Sequence, residues 1–150
     1  MRKVVTFMAL AAAMLPPLVS PAASAHADWQ IAGYQYVAAS FEGVSHGGYV
    51  STGPTGPIQI TEGHVDDGIG SITNRDPINH TFTHCTANCE TSDPSWEDAL
   101  FDVSVPAGQG ARPEDIQALN GIFEGNAGVW MIVCRVHPAL MRARVTTTGV

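Results

Sequence analysis

Three side chains that bind metals lie close together near the C-terminal end of the sequence. They are the thiol of Cys134, the imidazole of His137 and the thioether of Met141. A tight loop between two strands can turn all three towards one point. Thiolate and thioether are soft ligands that favour copper, and imidazole binds copper in both oxidation states. The alternative is ordinary packing, with an inert buried thiol, a core methionine and a surface histidine. Because all three groups occur together, the segment favours a copper site.

A copper site of this kind needs a second imidazole from a distant part of the chain. His80 follows the turn at residues 74–77 and begins an extended segment, so it can lie at the same end of the domain as the other ligands. His84 has the same strand parity but lies about 13 Å further along an extended chain. We therefore favour His80 as the ligand. His46 and His64 occur among glycine-rich and acidic turns, where solvated side chains are expected.

The order of several short motifs is similar to that of a known family. The motifs are Asn-x-Asp, His-Thr-Phe-Thr, Val-Pro-Ala-Gly and Cys-x-x-His-Pro, with Met-Arg shortly after the last. They resemble the cupredoxin family, and most closely its amicyanin-like and plastocyanin-like members, over roughly residues 58–147. The resemblance implies an all-β Greek-key β-sandwich with one type 1 (blue) copper ion. It also implies His80, Cys134 and His137 as the trigonal ligands and Met141 as the axial ligand.

The spacing of the axial ligand departs from the family pattern. Three residues separate His137 from Met141, whereas family members place two or four there. The alternative to an ordinary axial bond is therefore a longer bond or none. Asn79 resembles the asparagine that ties the two ligand loops together in the family, where it often follows the histidine instead of preceding it.

The residues between His137 and Met141 are uncharged. We expect Pro138, Ala139 and Leu140 to surround the edge of His137 with an apolar patch, where a redox partner docks and the electron leaves. The alternative is that these three residues only shape the loop.

The N-terminal segment has the order of a secretory signal peptide. Two basic residues precede an apolar run over residues 4–19, and small-residue cleavage sites precede Asp28. A membrane anchor is the alternative, but the run is short and two prolines interrupt it. The sequence therefore predicts a signal peptide at residues 1–27 and a single domain at 28–150. We expect an exported protein, periplasmic or extracellular.

Three cysteines in an exported protein leave one without a cysteine partner. Cys85 and Cys89 lie close together, and a disulfide that closes this small loop is favoured. The alternative is a second metal site that also uses His84. A metal bond would protect the remaining thiol of Cys134 from oxidation.

Glycine and proline separate short runs of alternating apolar residues, which is typical of antiparallel β-structure. In the penultimate run, Trp130, Ile132 and Cys134 share one face, which predicts a buried thiol. The helix candidate is 113–119, with proline at its first position. The strand-like runs cover residues 29–39, 58–60, 70–74, 80–84, 99–105, 129–135 and 141–147.

After residue 27, five arginines and no lysine face 14 acidic residues. This balance argues against nucleic acid and anionic lipid as partners. It favours a basic redox partner, or only an acidic surface kept for solubility. No second long apolar stretch predicts a membrane span, and His-x-His pairs typical of copper oxidases are absent. We therefore expect a monomeric one-electron carrier and no enzyme. A copper carrier or storage protein of the same fold is the alternative.

Overall fold

The computed structural model describes residues 27–40, 48–53, 56–65 and 68–148. The predicted signal segment before residue 27 and the side chain of His46 lie outside the described residues. The described chain forms nine strands and one helix. In chain order these are β1 Ala27–Ile31, β2 Tyr36–Ser40, β3 Gly48–Gly53, β4 Gly56–Val65, β5 Ile69–Asn74, β6 His80–Thr83, β7 Asp102–Val105, α1 Pro113–Glu124, β8 Gly128–Val133 and β9 Arg142–Thr147.

The strands form three sheets with the orders β2-β1-β5, β3-β4-β9-β8 and β6-β7. The β1–β5 and β4–β9 pairs are parallel, and the other pairs are antiparallel. An isolated bridge between His84 and Ile132, together with the bond from the Cys85 amide to the Met131 carbonyl at 2.8 Å, places β6 beside β8. The prediction of a mostly β chain with one short helix is confirmed. The described part of the chain contains no helix with the length and apolarity that a membrane span requires.

The core collects the inward faces of these strands. On β7, Val103 and Val105 are buried while Asp102 and Ser104 are exposed, as the alternation of the sequence predicts. Trp29 on β1 packs its ring edge-on against Phe82 of β6, with the ring centroids 5.7 Å apart. Cys134 and Met141 belong to the same buried cluster, so the predicted ligand loop has its base in the core.

The predicted strand 29–39 is divided into β1 and β2 by a tight turn. Ala32 and Gln35 exchange backbone hydrogen bonds, and both residues between them, Gly33 and Tyr34, have φ of 60°. Two successive positive φ values are the geometry of a type I′ hairpin turn. Residues 29–39 contain several aromatic and β-branched residues and no proline, so the sequence alone indicated one strand.

Helix α1 is longer than the predicted 113–119. Its buried positions Ile116, Leu119 and Phe123 follow a helical spacing that continues through the end of the helix. The Asn120 side chain accepts a hydrogen bond from the Ile69 amide at 2.7 Å and donates to its carbonyl at 2.9 Å. Asn120 thus bonds to the β5 backbone as a neighbouring strand would and fixes α1 against the start of β5.

The disulfide prediction is confirmed. Cys85 and Cys89 are bonded, with their Cα atoms 5.7 Å apart. Both sulfurs are used by this bond, so the alternative of a second metal site with His84 does not describe this structure. The loop that follows contacts β9, because Arg144 donates to Glu90 at 3.0 Å and Arg142 donates to the Thr91 carbonyl.

Candidate metal centre

Three predicted ligands converge at one end of the molecule. His80 begins β6, Cys134 directly follows β8, and His137 lies in the loop between β8 and β9. His80 Nδ1 is 3.2 Å from His137 Nδ1 and 3.8 Å from Cys134 Sγ. The three ligand atoms lie within 4.8 Å of one another. His80 and Cys134 are buried, and His137 is half-buried.

These distances fit a metal ion. Metal–nitrogen bonds of about 2 Å that meet at tetrahedral or somewhat smaller angles place two nitrogens roughly 3.1–3.4 Å apart. The separation of the two Nδ1 atoms lies within this range. The buried group can therefore hold one ion between two imidazoles and a thiolate. Two imidazoles and one thiolate are the in-plane donors of blue-copper sites, and the same donors also bind zinc.

The ligand loop is closed by its own backbone. The Cys134 amide donates to the Met141 carbonyl at 3.1 Å, while the amides of Leu140 and Met141 donate to the His137 carbonyl at 3.1 and 3.0 Å. Pro138 has no amide hydrogen and accordingly takes no part as a donor. The loop thus holds Cys134 beside Met141 and places His137 at its tip. The three-residue spacing before Met141 is accommodated as one helical turn.

Met141 is fully buried in the core cluster that also contains Cys134. Its backbone is bonded to both Cys134 and His137. The residue therefore belongs to the same loop as the two ligands. Its role as an axial ligand stays a prediction.

Asp76 contacts the group that could hold a metal ion, and the sequence interpretation treated it only as part of a turn and of the Asn-x-Asp motif. Its Oδ2 lies 3.0 Å from His80 Nε2, and the carboxylate also accepts the amides of Gly33 at 2.7 Å and Tyr34 at 2.9 Å. Burial by itself would raise the pKa of Asp76, but these hydrogen bonds lower it below its ordinary value. A signal was available, because Asp76 is the acidic residue of the Asn-x-Asp motif and precedes His80 by four residues.

The tautomer of His80 follows from this contact. A carboxylate has no proton to give, so His80 Nε2–H donates to Asp76 and Nδ1 presents its lone pair to the other ligands. Burial lowers the pKa of His80 below its ordinary value, and the Asp76 charge opposes that shift. Without a metal, the Nδ1–H of His137 can donate to this lone pair. A metal ion would replace that proton and bind both nitrogens.

Thr81 connects the two ligand segments. Its amide points at Cys134 Sγ at 3.4 Å, and its hydroxyl accepts the amide of Arg135 at 2.9 Å. An N–H bond to the sulfur stabilises a thiolate. The Asn79 side chain accepts the Ala107 amide at 3.0 Å, and so it ties the start of β6 to the turn after β7. The described hydrogen bond of the Asn79 side chain therefore runs to the turn after β7, whereas those of Thr81 run to the segment that carries Cys134.

The outer edge of the site is aromatic and apolar. The Tyr34 ring lies edge-on to His80 and His137, at centroid distances of 5.9 and 5.1 Å. In the predicted docking patch, Pro138 is half-buried and Ala139 and Leu140 are exposed. Tyr34 was not anticipated, because the hairpin turn that carries it was not predicted.

His84 lies apart from the metal-binding group. Its Nδ1 accepts the Leu100 amide at 3.3 Å, and its ring contacts Phe101 and Trp130 at centroid distances of 5.5 and 5.1 Å. Burial lowers its pKa below the ordinary value. Its role here is therefore packing, as a neutral imidazole.

Comparisons with known proteins gave no relatives: no family model matches the chain, and no curated protein or solved structure matches it.

Proposed function

We propose that this protein is a type 1 copper protein of the cupredoxin kind, with a Greek-key β-sandwich fold, that carries single electrons outside the cytoplasm. The observation that carries the proposal is the convergence of His80 Nδ1, His137 Nδ1 and Cys134 Sγ within 4.8 Å. Two imidazoles and a thiolate, with a methionine next to them in the same loop, form the donor set of blue-copper sites. Export would rest on the N-terminal segment of the sequence.

Bound copper would supply a one-electron Cu(II)/Cu(I) couple. Electron transfer is fast when the ligands barely move between the two states. Here the ligands are held from several sides: Asp76 binds His80, Thr81 binds the Cys134 segment, and the loop closes on itself through Met141. These contacts favour a rigid donor set. The half-buried His137 would be the route by which the electron reaches the surface.

The acidic composition supports a basic redox partner. The whole chain has a formal net charge of −7 at pH 7, and charge of one sign speeds the encounter with a partner of the other sign. The apolar loop residues Pro138, Ala139 and Leu140 would then form the contact itself. We expect the rate of reduction by a basic partner to fall as salt is added.

A copper carrier or storage protein is the second candidate, because the same three ligands would serve it. Spectroelectrochemical titration of the copper-loaded protein separates the two. An electron carrier gives a reversible one-electron wave and keeps its copper when reduced. A storage protein loses Cu(I) to a competing chelator during cycling, which would contradict our proposal. The Cys134→Ser variant is the matched control and should give no wave.

A further inference from the structure

Asp76 joins parts of the site that are distant in sequence. One carboxylate accepts the consecutive amides of Gly33 and Tyr34 and receives the Nε2–H of His80. We propose that Asp76 is a positioning residue that fixes both the tautomer of His80 and the place of the Tyr34 ring against the two histidines. This inference rests on the metal site proposed above and concerns residues outside the ligand set.

The tautomer argument follows from the number of protons on a neutral imidazole. One ring nitrogen carries hydrogen and the other has the lone pair, and the partner of the first decides which is which. Asp76 accepts at Nε2, so the lone pair of His80 lies at Nδ1, which faces Cys134 Sγ and His137. A side chain without an acceptor at this position would leave the Nε2–H unpaired and favour the tautomer with hydrogen at Nδ1, which can donate to His137 Nδ1. That tautomer cannot bind a metal through Nδ1.

The turn argument follows from backbone geometry. Tyr34 has φ of 60°, a conformation that is unfavourable for a residue with a Cβ. The carboxylate of Asp76 accepts the amides of both residues with positive φ, and so it stabilises the turn in this form. In this form, the turn presents the Tyr34 ring edge-on to His80 and His137. Tyr34 remains 40% exposed, so its ring is an outer wall between the histidines and solvent.

The first test uses Asp76→Leu, which removes the acceptor at similar size, with Asp115→Leu as the matched control. Asp115 pairs with Arg112 on the surface of α1, so the control makes the same chemical change away from the site. In metal-free protein above the ordinary imidazole pKa, ¹⁵N NMR should show the Nε2–H tautomer of His80 in wild type and control. Asp76→Leu should shift it towards Nδ1–H, and Asp76→Glu, which keeps a carboxylate, should keep Nε2–H. Cu(II) affinity should fall by about 10- to 100-fold in Asp76→Leu and not in the control.

The second test uses the pair Tyr34→Gly and Tyr34→Phe. Glycine adopts positive φ without cost, so Tyr34→Gly removes the ring while it favours the turn. We expect its unfolding temperature to be unchanged or higher. EDTA should remove Cu(II) from Tyr34→Gly at least several times faster than from wild type, because the wall over His137 is gone. Tyr34→Phe keeps the ring and should behave as wild type.

The outcomes separate this inference from the copper proposal. A chain that binds no copper would overturn the proposed function, yet the NMR shift in Asp76→Leu would still support the positioning role. An Nε2–H tautomer of His80 that persists in Asp76→Leu, with unchanged Cu(II) affinity, would overturn the inference. If Asp76→Leu does not fold, the Tyr34 pair decides. Equal EDTA rates in the glycine and phenylalanine variants would then contradict it.

Discussion

His80 and His137 face each other through their Nδ1 atoms, and residues outside the ligand set hold them there. Asp76 fixes the far side of the His80 ring, while the backbone turn of the ligand loop fixes His137. At this scale a single hydrogen bond decides whether a nitrogen offers a lone pair or a proton. Substitution of the side chains around His80 and His137 therefore tests the site as directly as substitution of the two histidines.

Thr81 offers a test of these surroundings. Thr81→Val keeps the β-branched shape and the amide near Cys134 Sγ but removes the hydroxyl that accepts the Arg135 amide. We expect the free energy of unfolding to fall by about 1 kcal/mol and the Cu(II) affinity to fall by about tenfold. Chemical denaturation and Cu(II) titration measure the two effects. Thr86→Val, which removes an exposed hydroxyl bonded to Ser95, is the control and should change neither. Unchanged affinity in Thr81→Val would show that Thr81 does not position the Cys134 segment.

His84 predicts a pH dependence of stability. Burial keeps its pKa below the ordinary value of about 6.5, so the unfolded chain takes up a proton that the native state does not. The contribution of neutral His84 to the free energy of unfolding is complete above the ordinary pKa of imidazole. It is lost as the pH falls towards the lowered pKa of His84 in the native state. Metal-free wild type should lose more unfolding free energy than His84→Gln between about pH 8 and pH 5. Parallel losses in the two proteins would contradict a buried neutral His84.

The convergence of His80, Cys134 and His137 could be predicted from sequence, and several of their neighbours could not. Cys134, His137 and Met141 belong to one short loop, and local spacing is visible in a sequence. The contact of Asp76 with Gly33 and Tyr34 joins residues more than 40 positions apart. No local pattern encodes such a contact, and the turn that makes it possible lies inside a segment that was predicted as one strand.

At the scale of elements, the position of β1 against β4 depends on one close contact between a ring and a glycine. Gly63 on β4 lies against the buried ring of Trp29, and a Cβ at this position would overlap the Cζ2 and Cη2 atoms. The ring is rigid and lies in the core, so it cannot yield without moving β1. Glycine is required here by contact with the neighbouring ring and not by the backbone conformation.

Gly63→Ala should therefore lower the free energy of unfolding by about 1–3 kcal/mol, the usual cost of overpacking. Gly121→Ala is the matched control, because nothing lies within 4 Å of a Cβ at that helix position. The control should stabilise the protein by up to about 1 kcal/mol, since alanine favours helix over glycine. Denaturant unfolding of both variants measures the difference. A neutral Gly63→Ala would contradict the packing of Trp29 against β4.

The disulfide between Cys85 and Cys89 is an element of stability and not of metal binding. It closes a loop of five residues, which corresponds to about 2 kcal/mol from chain entropy. The double variant Cys85→Ala/Cys89→Ala should lose about this amount in denaturant unfolding. Its copper spectrum should match that of wild type, because neither sulfur belongs to the group at His80. A lost or shifted copper band would contradict this separation.

The sequence predicted those strands and helices whose alternation of apolar residues agrees with the positions of the flanking turn residues. The face of β7 and the existence of α1 were predictable, but the end of α1 was not, because the helix continues beyond residue 119 to Glu124. Strand β3 was not predicted at all, since turn residues surround it.

At the scale of the whole molecule, the metal-binding group and its outer wall form where three distant segments meet. The start of β6 supplies His80, the loop between β8 and β9 supplies Cys134 and His137, and the β1–β2 turn supplies Tyr34 as the wall. The group is therefore complete only when these segments have come together. A metal that binds only the native state would stabilise the entire fold.

Visible absorption of the chain from Asp28, titrated with Cu(II), tests the central claim most directly. We expect an intense thiolate-to-copper band that saturates at one equivalent of copper. Cys134→Ser should lose the band while keeping its fold, since the substitution replaces one sulfur by oxygen. A colourless wild-type protein, or a band that persists in Cys134→Ser, would contradict a copper–thiolate site formed by His80, Cys134 and His137.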